Sequence, residues 1–319
     1  MFDRLKINRF LVVGRAGLDL YADPPGTEIE NATRFTAALG GSAANIAVAI
    51  ARQGGHTALL TTVSEDAVGR ATRRALAGYG VDTRHVRTVG GEARNSLAVV
   101  ETRAENCQSV IYRNDAADFH LSTADAERVD YASFGAVIVT GTALAREPSR
   151  AATLAALRLA RQAGLTRIID VDYRPYSWAS QDEARQVCLT AAEMCDIIVA
   201  NDDEFAVLAG AGSGPALARQ LAKPAGRTVV YKMGAKGCIT FTGREHFETP
   251  VFSVTALKPT GAGDGFMGGL ISGLAQGASL QESIRRGAAT AAIVVTRVGC
   301  APAMPDAAEV QHFMKRFEA

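Results

Sequence analysis

The sequence has no excess of charge of either sign: 34 Lys and Arg stand against 33 Asp and Glu, a formal net charge of +1 over 319 residues. It carries no basic stripe for nucleic acid and no acidic tail. Affinity for an anionic ligand must therefore come from local geometry. No run of about 18 apolar residues occurs, so no membrane-spanning helix is expected. Met1 to Phe10 is too polar for a secretory leader. The five cysteines (Cys107, Cys188, Cys195, Cys238 and Cys300) form no C-x-x-C pair, which reads as reduced thiols in a cytoplasm. The pattern G-x-x-x-x-G-K-[ST] is also missing, which excludes a P-loop. Gly263, Gly265 and Gly268 do fit G-x-G-x-x-G, but without a convincing acidic partner about 20 residues on, so a dinucleotide site is not supported.

Hydrophobic residues make up 48% of the chain and charged residues 21%, enough for a large core. Short β-branched runs at Leu11–Gly14, Thr57–Val63, Ala136–Gly141, Arg167–Val171, Ile197–Ala200 and Thr228–Lys232 read as buried strands. Helical stretches such as Ser42–Gln53, Gly69–Gly78, Ser149–Ala163 and Glu183–Met194 alternate with them. Such alternation implies an α/β fold with a doubly wound, mainly parallel sheet. Ser96–Thr102 and Ser109–Tyr112 flank a polar turn and read as an antiparallel hairpin, and Leu18–Tyr21 is also strand-like. These point to a small β-sheet lid inserted at about 15–35 and 94–118 into one domain spanning 1–319; a surface hairpin without a role is the plainer alternative.

Lys258-Pro259-Thr260-Gly261-Ala262-Gly263-Asp264-Gly265-Phe266 precedes the helix-like Met267–Ala275. The small residues Gly261, Ala262 and Gly263 let backbone N–H groups approach a ligand where a helix begins, which favours an anion. Such a cradle suits phosphoryl transfer, where catalysis is positioning and electrostatics. Asp264 at its edge is placed to accept a proton from an attacking hydroxyl. A tight turn with Asp264 as N-cap explains the same residues without chemistry. A second glycine joint, Gly40-Gly41-Ser42-Ala43-Ala44-Asn45, opens another helix, and Asn45 one turn in can direct an amide at a polyol.

Together the two joints resemble the two signatures of the ribokinase, or PfkB, family of carbohydrate kinases: Gly40, Gly41, Asn45 and Ala47 in the first, Thr260 to Phe266 in the second. Asn201-Asp202-Asp203-Glu204 is similar to the family's N-x-x-E, and Lys232-Met233-Gly234-Ala235-Lys236-Gly237 to its nucleotide-lining loop. The resemblance covers essentially the whole chain. It implies ATP and Mg2+ as cofactors and phosphorylation of a sugar hydroxymethyl group. Asp264 would be the base, with Gly261, Ala262 and Gly263 as the anion hole. Asn201 and Glu204 would organise Mg2+ and phosphates through water, though an N-cap with an acidic first turn reads equally from these two residues. Lys232, Gly234 and Gly237 would border the nucleotide, and Asp19 would hold substrate hydroxyls alongside Gly40, Gly41 and Asn45. The family often carries Asp-Thr-Thr before Gly-Ala-Gly-Asp, whereas this chain has Lys258-Pro259-Thr260, so activation by potassium is not expected.

Arg113, at the end of the hairpin, and Arg174, after a strand and near the only tryptophan, suit a substrate that bears a carboxylate, which Arg grips in bidentate fashion. Each also reads as a surface ion pair. The segments around them, with Gly14–Tyr21 and Gly299–Pro305, resemble the branch of the family that phosphorylates 2-deoxy-5-keto-gluconic acid on its C6 hydroxyl in inositol breakdown. The related 2-keto-3-deoxygluconic acid is the alternative substrate. A homodimer through the lid strands is a further implication of the family. A non-catalytic sugar-acid sensor would have no need of Asp264 together with the cradle and the Asn201/Glu204 pair. Cys300 reads as structural.

Overall fold

Strands with apolar residues at every position fit only where both faces of a sheet are covered. In the computed structural model, described for residues 2–243 and 245–317, thirteen strands follow one another along the chain. They are β1 (Arg9–Val13), β2 (Gly17–Asp23), β3 (Arg34–Gly40), β4 (His56–Ser64), β5 (Val86–Val89), β6 (Leu97–Val100) and β7 (Ser109–Tyr112). Then come β8 (Ala136–Thr140), β9 (Thr166–Asp170), β10 (Ile197–Asn201), β11 (Thr228–Lys232), β12 (Cys238–Thr242) and β13 (Glu245–Thr249). The main sheet has the order β13-β12-β11-β10-β9-β8-β1-β4-β5, parallel from β11 to β5 and antiparallel at the β11–β12–β13 edge.

The period of two sends alternate side chains to opposite faces. Leu11, Val13, Val137, Val139 and Ile169 pack on one side, and Phe10, Val12, Ile138, Ile168 and Val199 on the other. The α-helices among the described residues are α1 (Ser42–Arg52), α2 (Ala67–Gly78), α3 (Thr123–Glu127), α4 (Ser149–Gln162), α5 (Gln181–Glu193), α6 (Asp202–Ala209), α7 (Gly214–Leu221), α8 (Ala262–Ala275), α9 (Leu280–Val295) and α10 (Ala307–Lys315). The first face is covered by α4 to α7, the second by α1, α8 and α9. No helix among the described residues is long and apolar enough to cross a membrane.

The parallel, doubly wound sheet expected from the alternation is present. Four strands lie outside that expectation: β3, β5, β12 and β13. Most of β3 and β13 is exposed, so neither carries the apolar run by which a strand is read. The second sheet has the order β3-β2-β6-β7, and β3 runs on to Gly40, past the expected boundary near 35. One further boundary moves with chemical consequence. Helix α8 starts at Ala262 rather than near Met267, because Gly261 takes the left-handed conformation (φ 82°) and serves as its N-cap. Asp264 thus lies inside the first turn, not at the cap.

The inner face of the small sheet carries Tyr21, Ala98 and Val100, which pack with Cys300 on the main body. Its outer face carries Leu18, Leu20, Phe35, Val99, Val110 and Tyr112, all partly or fully exposed.

Candidate active site

The chain runs from β1 to β4 on one side and returns to β8 on the other, and a crevice opens outside the C-terminal ends where such an order reverses. The candidate site residues gather at that edge: Arg15 after β1, Thr142 after β8, Asp170 at the end of β9 and Asp172 just beyond it, Asn201 at the end of β10, and Lys232 at the end of β11. The helices α1 and α8 begin there too.

Two helix N-termini meet at its floor. Asn45 Nδ2 donates to Asp264 Oδ2 at 2.8 Å. One turn further along both helices, a Cβ on Gly268 would lie 2.3 Å from Ala49 Cβ, so only glycine lets the two backbones approach this closely. The N–H groups of Gly261, Ala262, Gly263 and Asp264 have no acceptor among the described residues, as expected for a first helical turn. They form a cradle of free donors.

Around it stands a crowd of carboxyls. Asp170, Asp172 and Glu204 are all buried, and Lys232 Nζ lies 3.9 Å from Asp170 Oδ1. Burial raises Asp170, with Lys232 opposing and Asp172 adding to the rise. Glu204 is pushed up to about 7, by burial first and then by Asp170 and Asp172 against the pull of Lys232. Burial would also raise Asp172, but Arg174 at 2.7 Å, a hydrogen bond from Ser42, and Arg15 and Lys232 together hold it below its usual range. Asp264 is pushed up to about 8 by desolvation, then by Asp172 and Asp170, against the Asn45 hydrogen bond and Arg174. A carboxyl with a pKa near neutrality is a usable proton acceptor.

Asn201 and Glu204 form a reciprocal capping box on α6: Asn201 Oδ1 accepts from Glu204 N at 2.8 Å and Glu204 Oε2 from Asn201 N at 2.7 Å. Glu204 Oε1 accepts from Tyr173 N at 3.1 Å. The cap reading of this pair is therefore real, and it also fixes a carboxylate at the crevice. No group of three or more His, Cys, Asp or Glu among the described residues makes a metal cage. The donor set suits a hard cation that keeps most of its waters and rests on ligand phosphates: several carboxyls in excess, and no closed shell.

Gly234 and Gly237 flank the turn between β11 and β12, both with positive φ. A Cβ on Gly237 would lie 2.2 Å from Thr249 O, so this glycine is required by the turn itself. Lys232, expected at the nucleotide border, sits at the end of β11 among the carboxyls, where Asp170, Glu204, Asp264 and Asp172 outweigh burial and raise its pKa.

At the other end of the crevice, Gly40 leaves room for Asp19, whose Oδ1 a Cβ there would meet at 1.9 Å. Gly41 has φ 98°, and its Cβ would lie 2.4 Å from Arg15 O. Asp19 is buried; its Oδ2 accepts from the Tyr21 hydroxyl at 2.9 Å while its Oδ1 has no partner. The Tyr21 hydroxyl also lies 3.2 Å from Cys300 Sγ, which places Cys300 as packing between small sheet and cradle.

Arg113 is buried and pairs with Asp118 and with Thr142 O (2.9 Å), over the ring of Phe119. Its Nη1 has no partner. Arg174 pairs with Asp172. So each is half committed within the protein, as the ion-pair reading holds, and Arg174, Arg15 and Arg113 all act electrostatically on the exposed Tyr176. Arg15, Tyr21, Asp170 and Tyr176 went unread in the sequence as site residues. The signal for Arg15 was its place directly after a strand and Gly14, at the edge where ligands bind.

Residues 8–307 match the family model described as pfkB family carbohydrate kinase. A 5-dehydro-2-deoxygluconokinase of Photobacterium profundum is 38% identical over 301 residues, covering 92% of this chain and 91% of that protein. Another of Geobacillus kaustophilus is 34% identical over 321 residues, covering 99% and 96%. The crystal structure of a fructokinase from Vibrio cholerae, in its form with fructose, ADP and calcium ion bound, aligns with TM-score 0.84 at 26% identity over 97% of this chain and 99% of that one.

Proposed function

Since the chain belongs to the pfkB family of carbohydrate kinases, we propose that it transfers the terminal phosphoryl group of ATP to the C6 hydroxyl of 2-deoxy-5-keto-gluconate, a step of myo-inositol catabolism. The observation that carries this reading is Asp264: a carboxyl poised near neutrality, held at 2.8 Å by Asn45, beside four free N–H donors.

In this reading Asp264 takes the proton of the attacking C6 hydroxyl as its oxygen approaches the phosphorus, and ADP departs on the far side. The donors of Gly261, Ala262 and Gly263 hold the charge on the equatorial oxygens, where preorganised dipoles act best in a dry site. Lys232 and Arg174 lie close enough to balance charge in the same crevice. Asn201 and Glu204 would support Mg2+ through water, and that ion supplies charge neutralisation on the phosphates. Gly234 and Gly237 shape the loop on the nucleotide side.

On the sugar side, Asp19 offers its free Oδ1 to substrate hydroxyls, with Asn45 and the backbone of Gly40 and Gly41 beside it. Arg15, Arg113 and Arg174 receive the carboxylate, and the unpartnered Nη1 of Arg113 supports this directly. The names of the relatives at 34–38% identity supply the same acid. The whole chain acts as one kinase domain with the small sheet as a lid over the sugar, and two copies pair through its outer apolar face. Five free cysteines suit a cytoplasmic setting.

The test is ATP consumption by the purified protein with Mg2+, offering 2-deoxy-5-keto-gluconate, 2-keto-3-deoxygluconate and ribose side by side. Preference for the first supports the substrate. Preference for either other acceptor retains the chemistry and discards the acid named here, and binding of acid with no ATP consumed would leave only a sensor.

A further inference from the structure

Lys258 is a fully buried cation whose surroundings nothing above explains. Its side chain is fully buried, yet among the described residues it has no carboxylate within ion-pair distance. Its ammonium donates instead to two backbone carbonyls, that of Thr260 and, at 3.4 Å, that of Val294. Val294 lies in the last turn of α9, where the helix dipole is negative, and its carbonyl also accepts from Arg297 N at 3.2 Å. Thr260 lies immediately before the N-cap of α8. The backbone is pinned here as well, since the N–H groups of Leu257 and Lys258 both donate to Val295 O.

The consequence is geometric. In a trans peptide the carbonyl and the following N–H point in opposite directions. Drawing the Thr260 carbonyl inward onto the ammonium turns the Gly261 N–H outward, into the cradle. The left-handed φ of Gly261 then begins the helix from that fixed plane. The charge matters too. Burying an ammonium without a counter-ion is costly: burial pulls the Lys258 pKa below its usual value, and the ionisable groups Cys300, Asp264, Cys107 and Asp19 act against that fall and favour the charged form. A positive centre behind the first turn of α8 adds to the dipole already aimed at an anion.

We propose that Lys258 is a positioning residue for phosphoryl transfer: a tethered cation, built into the fold, that orients the Thr260–Gly261 peptide and supports the anion cradle from behind, so that turnover needs no monovalent cation from solution. This rests on the cradle reading above. The two can fail separately, because loss of turnover in Asp264→Asn tests the cradle and base without reference to any cation.

The experiment measures kcat and KM with the sugar that the wild type phosphorylates, in buffer whose monovalent cation is tetramethylammonium, before and after adding potassium. The wild type is expected to change by less than about twofold. Lys258→Met, of similar length and uncharged, is expected to lose about 100-fold in kcat, the scale of a lost oxyanion donor, with KM for the sugar nearly unchanged and Tm no lower. Lys258→Ala is expected to regain at least about tenfold with n-propylammonium, the part removed, an effect that purely structural packing would not produce. Several-fold stimulation of the wild type by potassium would overturn the proposal. So would a Lys258→Met enzyme with normal kcat, and this variant decides the matter even where Lys258→Ala fails to fold.

Discussion

Asn45 and Asp264 touch at 2.8 Å because one helical turn along each of their helices Ala49 rests on Gly268. The distance between two reactive groups is thus set by the packing of two residues that never meet a ligand. Widening the seam should be felt at the site. Gly268→Ala forces α1 and α8 apart, and a shift of about 1 Å at a reacting centre costs on the order of 100-fold in rate. The expected outcome is a kcat drop of that order with ATP binding retained; steady-state kinetics alongside nucleotide titration checks it.

The pH dependence has a defined direction. Asp264 works as a base only when ionised, and its pKa is pushed up to about 8. kcat/KM should therefore fall as pH drops below that region and level off above it. The hydrogen bond from Asn45 opposes the rise. Asn45→Ala should move the acidic limb of the profile to higher pH, while Asp264→Asn should remove the limb together with several orders of magnitude of turnover.

The same group makes a statement about stability. A carboxyl that holds its proton to about pH 8 folded, against a reference of 3.8, takes up a proton on folding, so stability declines as pH rises through that window. Asp264→Asn carries no such penalty. Its Tm advantage over the wild type should grow from about pH 4 to about pH 8 and stay constant above, a difference that calorimetry at several pH values resolves.

Arg113 holds a buried partner, so removing it does two things. Arg113→Met leaves Asp118 charged and unpaired in the interior, a loss of roughly 3–5 kcal/mol. Adding Asp118→Asn should restore much of the Tm. The KM for a sugar acid should stay raised in the double variant, and raised far more than for the neutral alcohol. Equal KM changes for both substrates would assign Arg113 to the architecture alone.

The proposed pairing of two copies through the small sheet is open to a direct measurement. Val110 and Tyr112 are among its most exposed apolar side chains. Val110→Glu should shift sedimentation from dimer toward monomer without changing the thermal transition of the isolated chain.

The sequence carried the main sheet plainly, since Phe10 to Val13 and Ile197 to Ala200 are apolar at every position and only a covered parallel strand accepts that. The cradle was equally visible, for Gly261-Ala262-Gly263-Asp264 is local along the chain. Arg15 was not, because its meaning depends on Ser96, Tyr176 and Asp172 arriving from elsewhere. Nor was Lys258: as letters it read only as a missing acid, whereas its carbonyl partners include Val294, 36 residues away. Strand β3 hid for the opposite reason, with four of its seven residues facing solvent and no buried run to announce it.

The three arginines come from three distant stretches: Arg15 after β1, Arg113 after the last strand of the small sheet, and Arg174 after β9. The anion cradle and its lysine lie together near the C-terminus. Proteins open locally, in units with separate free energies, and apart from Leu39 the small sheet packs on the body mainly through a satellite cluster built on four buried residues. The two halves of the reaction therefore have unequal resistance to unfolding. In rising denaturant, recognition of the acid should disappear while the phosphate end is still folded, and hydrogen exchange should show the strand before Arg113 released long before the turn that carries Asp264.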